Sequence, residues 1–388
     1  MEHEGERLLA LRDQIGLIDG LVLVPAALAP LLALCDGSRD VSALCVGFRE
    51  LTGAEIRPEQ VAQALAALDE QLILEGDRCD AAKEQALAAY REAACREPAL
   101  AGKVYPGDVS ALRAELDAYG AGAKAVTATR PVRGIVTPHI DYQRGGPLYA
   151  RLWQAAAPGI QDVELAIVFG TDHQGGPGRV TLTRQSYATP YGVLRTPVEV
   201  VDALADLLGA DAVFEDELHH RTEHSVELGA VWLHHALSGR DCEVLPILCG
   251  SFHEFVASGD PEGDDRFERL LHLLRIVTTG RRTLIVSAAD LAHVGPAFGD
   301  SEPWSPSRRE LLRAVDDELL QAICAGDART FFERVKRDRD CFRICGLPPT
   351  YLALRLLGGC EGEVVGYAQC DADLQGGSLV SIAGALLY

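Results

Sequence analysis

Three apolar runs of strand length each end in a side chain that can do chemistry. His139 follows Val132–Thr137, Asp172 and His173 follow Leu165–Gly170, and Asp290 follows Thr283–Ala289. Runs this continuous read as strands buried on both faces, the signature of a parallel sheet covered by helices. In an open α/β sheet, ligands bind outside the carboxyl ends of the strands, so residues remote in sequence are gathered into one crevice. Four further strand runs, RVTLTR (179–184), EVLPILCG (243–250), EVVGYAQC (363–370) and SLVSIAGALL (378–387), are interleaved with helical patterns at 149–157, 198–208, 223–237, 266–278, 308–325 and 330–336. That texture predicts an α/β domain with a mixed sheet flanked by helices.

The chain before it is different. From Leu8 to about Ala93 it is rich in Leu and Ala at helical spacing, broken by CDGSRD (35–40) and by residues 53–58. Helices are expected at 41–52, 58–71 and 81–95, with short β segments at 21–24 and 72–75. The reading is a small helical, winged-helix-like domain over 1–95, a Gly/Ala-rich connector with one helical stretch over 96–130, and the α/β domain over 131–388. A chain of 388 residues exceeds what one core comfortably serves, so two domains match its length.

Charge and composition narrow the partners. A net charge of -21 without a Lys/Arg cluster argues against nucleic acid or an anionic membrane surface. No run approaches the ~18 apolar residues of a membrane span, and Met1–Gly5 is polar rather than a basic leader. A soluble, cytoplasmic protein that meets small molecules, peptides or proteins is expected. The eleven cysteines contain no C-x-x-C pair, the nearest being Cys341 and Cys345, and read mostly as small buried hydrophobes in a reducing compartment.

His139 (TPHIDY) and His173 (GTDHQGG) place imidazoles where strand gives way to loop. Neutral imidazole is a favoured ligand of iron, copper and zinc, and equally serves as a hydrogen-bonded structural residue. His220-Arg-Thr-Glu223-His224 matches H-x-x-E-H, in which His220 and His224 would bind zinc and Glu223 would act as general base of a hydrolase. In SAADLAH, Asp290 and His293 would share one face of a helical turn, the carboxylate orienting the imidazole for proton transfer; alternatively Asp290 caps the turn that follows. Cys345 precedes Gly346 and opens an apolar helix-like run, where a helix N-terminus and a metal would favour thiolate.

Seven strings in sequence order, PHIDY, FGTDH, YATPYGVLRTP, HRTEHSVE, PILCG, SAADLAH and ICGLPP, resemble the Memo family, also called AmmeMemoRadiSam system protein B, over about residues 130–388. The resemblance implies a fold similar to class III extradiol dioxygenases and a metal pocket at one edge of the sheet. It implies metal ligation by His139, His173 and Cys345, with Asp290, His293 and His224 lining the pocket as catalytic groups. Fe(II) or copper and redox chemistry on an unidentified substrate follow from the same source, and an N/N/S ligand set also suits zinc. The chain departs from the family pattern at Ile140-Asp141 in place of Ala-Gly, at Asp172 in place of Asn or Ser, and at Ala288-Ala289 in place of Ser-Ser. Residues 24–74 resemble PqqD-like winged-helix domains, which bind peptides in modified-peptide biosynthesis and imply a peptide or protein partner. Three functions are therefore in play: a metal-dependent redox enzyme, a zinc hydrolase built on His220, Glu223 and His224, and a non-catalytic ligand- or peptide-binding adaptor.

Overall fold

The computed structural model describes the chain apart from Met1, Glu4, Gly5, Gln14, Asp19, residues 123–127 and Thr129. It divides into two compact units, Met1–Glu92 and Ala93–Tyr388.

In the first unit an antiparallel sheet of β1 (Glu2–His3), β2 (Glu6–Arg12) and β3 (Leu21–Pro25) precedes α1 (Ala29–Leu34), α2 (Val41–Thr52), α3 (Pro58–Glu70) and α4 (Asp77–Glu92). α2 and α3 sit where the sequence places them, while α4 starts four residues before the expected 81 and ends three before the expected 95. Asp40 caps α2 by accepting from the Ala43 N–H, and Gly53 closes it at φ 72°. Of the two expected β segments, 21–24 is present as β3 and the other is not. Residues 72–75 form a turn after α3, with Leu72 at φ 55°, rather than a strand. Leu8–Arg12 is extended, not helical, and pairs with β3 in the register Leu8↔Pro25 to Arg12↔Leu21. The hairpin between them is set by Asp13, which accepts from the N–H groups of Ile15 and Ile18, each at 3.0 Å. Such Asx contacts select a turn over a helix.

In the second unit α5 (Val109–Tyr119) leads into β4 (Gly134–Thr137), α6 (Tyr142–Ala156), β5 (Leu165–Thr171) and β6 (Val180–Leu182). A hairpin of β7 (Tyr187–Thr189) and β8 (Gly192–Leu194) follows, then α7 (Val198–Leu208), α8 (Ala210–Phe214), α9 (His224–Leu237), β9 (Glu243–Cys249), α10 (His253–Ser258) and α11 (Asp265–Thr278). The chain ends with β10 (Thr283–Ala288), β11 (His293–Val294), α12 (Pro306–Cys324), α13 (Ala328–Arg337), α14 (Leu347–Leu357), β12 (Gly362–Asp371) and β13 (Leu379–Leu387).

The main sheet is mixed. β10 lies between β4 and β5, parallel to both, and β9 extends the parallel set beyond β5. β6 is antiparallel to β9, while β13 runs antiparallel to β4, β11 and β12. Alternation along β5 separates two cores: Leu165, Ile167 and Phe169 pack with α7, α11, α13 and α14, whereas Ala166 and Val168 pack with α6 and α9. Helices therefore cover both faces, and β4, β5 and β10 deliver their carboxyl ends to the same edge.

Two stretches exceed their sequence reading. The expected connector is part of the second unit: Arg96 is buried and bridges to Tyr187, and Leu112 and Leu116 of α5 are fully buried. Residues 123–127 of that connector lie outside the described residues. Helix α6 begins at Tyr142 rather than near Tyr149 and runs through Gly145-Gly146-Pro147, a string that reads as a turn. Close packing explains it, because a Cβ on Gly145 would lie 2.6 Å from Ile140 and one on Gly146 2.6 Å from the Tyr119 ring.

Candidate metal centre

The three expected ligands converge. One donor atom each from His139, His173 and Cys345 lie within 4.8 Å of one another, and Sγ of Cys345 is 3.2 Å from Nε2 of His139. Each arrives by a different backbone device. The exit of β4 is folded against that of β10 by Asp290, whose Oδ1 accepts from the N–H groups of His139 at 2.8 Å and Ile140 at 3.3 Å. Cys345 is held by the Thr171 hydroxyl on its carbonyl, at 3.0 Å, and by Gly346, whose N–H donates to the Asp290 carbonyl at 3.1 Å. A Cβ at residue 346 would lie 2.4 Å from that carbonyl oxygen, so the approach of the Cys345 loop requires glycine. His173 follows β5 and is fixed from α9.

The fixing group is Glu223, the N-cap of α9. Its Oε2 accepts from His173 N–H at 3.1 Å and faces His173 Nδ1 at 3.0 Å. Its Oε1 accepts from the N–H groups of His224 at 2.7 Å and Ser225 at 2.9 Å, and lies 3.0 Å from His224 Nδ1. A carboxylate only accepts, so both rings carry hydrogen on Nδ1 and keep Nε2 for a ligand. The Ala288 carbonyl, 3.0 Å from His139 Nδ1, does the same for the third imidazole. Oxygen partners behind metal-facing imidazoles are what orients such ligands and raises their basicity. His173, Glu223 and His224 also lie within 4.8 Å of one another, but the Glu223 oxygens already serve five nitrogens, which makes it the orienting group rather than a ligand.

The electrostatics match. Burial alone would push the Cys345 thiol up, yet the charges of His139 and His293 and hydrogen bonds with His139 and His173 hold it well below the usual thiol range. Burial would lower His139, but Cys345 and Asp290 raise it to about 9. His173 rises against its burial to about 11 through hydrogen bonds with Cys345 and Glu223. Despite the burial that opposes it, Glu223 is held well below the ordinary carboxylate range by His173 and His224.

A cavity of about 460 Å³ opens on this cluster. Its polar floor is His139, His173, His224, Asp290 and His293, and Leu100, Val104, Leu228 and Phe298 contribute apolar walls. All six expected site residues thus meet there, since Cys345 touches His139, but two expected relationships fail. Asp290 does not orient His293: its carboxylate is spent on the His139 turn, while His293 Nδ1 faces the Leu291 carbonyl at 3.3 Å and its ring meets Phe298 edge-on. The H-x-x-E-H reading also fails. His220 sits in a separate 3-10 turn (Glu217–Arg221), with Nε2 3.1 Å from the Thr181 carbonyl and Nδ1 2.7 Å from the Tyr187 hydroxyl. Burial pushes it down to about 4, so it is a neutral core histidine with both nitrogens engaged. Residue-by-residue reading missed the orienting role of Glu223 and the pairing of His219 Nδ1 with Asp172 at 3.0 Å; a carboxylate immediately before a helix start was the one signal available for Glu223.

A mixed α/β sheet with two imidazoles and a cysteine sulfur converging at the carboxyl ends of its parallel strands defines the class of protein. A family profile described as Memo-like protein matches residues 96–386, and the chain belongs to that family. Similar curated proteins include a MEMO1 family protein of Aquifex aeolicus, 25% identical over 381 residues, covering 97% of this chain and 95% of that one. A MEMO1 family protein of Methanococcoides burtonii is 29% identical over 289 residues, covering 74% of this chain and 96% of the relative. One of Methanosarcina mazei is 28% identical over 284 residues, 72% and 94% respectively. Among the described residues no helix is long and apolar enough to cross a membrane.

Proposed function

We propose that this chain is a metal-dependent redox enzyme with a dioxygenase-like pocket, holding iron or copper on His139, His173 and Cys345 and acting on a small molecule or peptide that enters the 460 Å³ cavity. The observation that carries the reading is the convergence of three donor atoms whose surroundings keep Nε2 and thiolate available. The donor set fits: it is softer than two histidines and a carboxylate, and suits copper or zinc as well as Fe(II). Once bound, iron or copper would supply electron transfer and a position for substrate.

The chain's own groups do the rest. Glu223 locks two imidazoles in one tautomer. His224 stacks on His173 with ring centroids 4.7 Å apart and turns its free Nε2 away from Glu223, the placement for giving or taking a proton at the substrate. His293 on the cavity floor is a second proton carrier, and the apolar walls line the approach to the reacting end.

The compact N-terminal unit favours a second reading, an adaptor that recruits a peptide or protein while the pocket binds without turnover. Metal analysis of protein purified anaerobically tests the first. About one equivalent of iron or copper in the wild type, lost in both His139→Ala and Cys345→Ala, is the expected result; metal retained in both variants overturns it.

A further inference from the structure

Arg96 is a buried arginine that the chemistry above does not use. It forms an ion pair with Glu227 of α9, and both side chains are at most 1% exposed. The guanidinium also bonds main chain: Nε donates to the His220 carbonyl at 2.8 Å and Nη2 to the Glu223 carbonyl at 3.0 Å. Its carbon lies 4.9 Å from the centre of the Tyr187 ring. Buried ion pairs give little net stability compared with apolar residues of the same volume. What this one does is hold a turn by two of its carbonyls and tie it to α9 through Glu227, and that turn ends in Glu223.

Glu227 has a second task. It accepts from the N–H groups of Ala99 at 3.0 Å and Leu100 at 2.9 Å and from the Tyr105 hydroxyl at 2.5 Å. One carboxylate therefore seats the segment 96–105, from which Leu100 and Val104 form a wall of the cavity.

We propose that the Arg96–Glu227 pair positions the metal centre: Arg96 sets the main chain of the residue that orients His173 and His224, and Glu227 sets the wall that faces them. The inference rests on the metal reading above. Arg96 and Glu227 are positioning residues, acting through Glu223 and through Leu100 and Val104. Lysine cannot replace the arginine, because a single ammonium does not span Glu227 and two carbonyls at once.

The full chain, stripped of metal and titrated with Co(II), tests this. The thiolate-to-cobalt charge-transfer band reports Cys345, the ligand-field bands report the coordination set, and thermal unfolding reports the fold. Folded Arg96→Lys and Glu227→Gln are expected to keep the thiolate band, change the ligand-field bands and bind Co(II) roughly 10–100-fold more weakly, the range for lost second-layer partners. Where a single variant does not fold, the double variant Arg96→Met/Glu227→Leu, which removes both buried charges together, takes its place with the same expected loss. Unchanged Co(II) affinity and spectrum in the folded variants, with or without a lower unfolding temperature, overturns the positioning role while the metal site stands. A wild type that shows no thiolate band overturns the metal reading itself, and this inference with it.

Discussion

Replacing Glu223 with glutamine keeps the shape of the side chain and removes one acceptor where five donors converge. Oε1 serves three nitrogens, those of His224 N, His224 Nδ1 and Ser225 N, and Oε2 serves His173 N and Nδ1. The amide oxygen satisfies the larger group best, which turns the NH2 toward His173. Its ring then becomes an acceptor at Nδ1 and moves its hydrogen to Nε2, the nitrogen a metal needs, and the His173 main-chain N–H is left facing a donor. One buried N–H left unsatisfied costs about 1–3 kcal/mol, and losing charge assistance adds about as much, so metal-free protein should lose about 3 kcal/mol in urea unfolding. Metal affinity should fall roughly 10–100-fold. The acid side carries a sign as well. Glu223 is held below its unfolded range, so its contribution is complete above about pH 4.3 and lost as pH falls through the folded value. The variant should lack that part of the acid slope. Nitrogen-15 NMR of the imidazoles reads the tautomer directly: hydrogen still on His173 Nδ1, with unchanged metal affinity, would refute the orienting role.

Two further outcomes separate structural groups from working ones. His220→Gln should leave metal content unchanged while lowering stability by about 1–3 kcal/mol through its two buried hydrogen bonds; metal lost from a folded variant would restore the H-x-x-E-H zinc reading. Asp316, fully buried on α12 with its carboxylate accepting from the Tyr367 hydroxyl, is pushed up from 3.8 to about 6, chiefly by burial and against the hydrogen bonds of Tyr367 and Ser381. The folded state thus binds more protons than the unfolded one between those values, and stability falls as pH rises through them, by about 3 kcal/mol in all. Asp316→Asn should remove that slope and be the more stable protein at pH 7; a wild-type stability that rises steadily from pH 4 to pH 6.5 in urea unfolding, with no gain in the variant, would contradict this.

The sheet was legible because its central strands are buried on both faces. LAIVFGT is apolar throughout and becomes β5 with every residue buried, and Val198–Leu208 becomes α7 at the bounds its pattern suggests. Legibility failed where tertiary contact overrode local chemistry. Gly145-Gly146-Pro147 spells a turn yet lies inside α6, since only glycine lets that helix meet Ile140 and Tyr119. The β segment at 21–24 was legible, but its partner is Glu6–Arg12 rather than residues 72–75, because Asp13 closes a hairpin there that helical Leu/Ala spacing conceals.

The site divides along the same line. Its candidate imidazole ligands stand at strand ends, where the fold class alone predicts a crevice, so His139 and His173 could be found from one sequence. Their supports could not, because support depends on which conformation follows the strand. Asp290 and His293 would share a helical face only in a helix; here the chain between them is irregular and His293 begins β11, so both line the cavity but the carboxylate is turned to the His139 main chain rather than to the His293 ring. His220 and His224 would likewise share a face only if one helix held both, but α9 starts at His224, its first N–H groups claimed by Glu223. That same interruption frees the Glu223 carboxylate to reach across to His173. The helix boundary that defeats the zinc-hydrolase motif is thus the feature that builds the second layer of the His139, His173 and Cys345 centre.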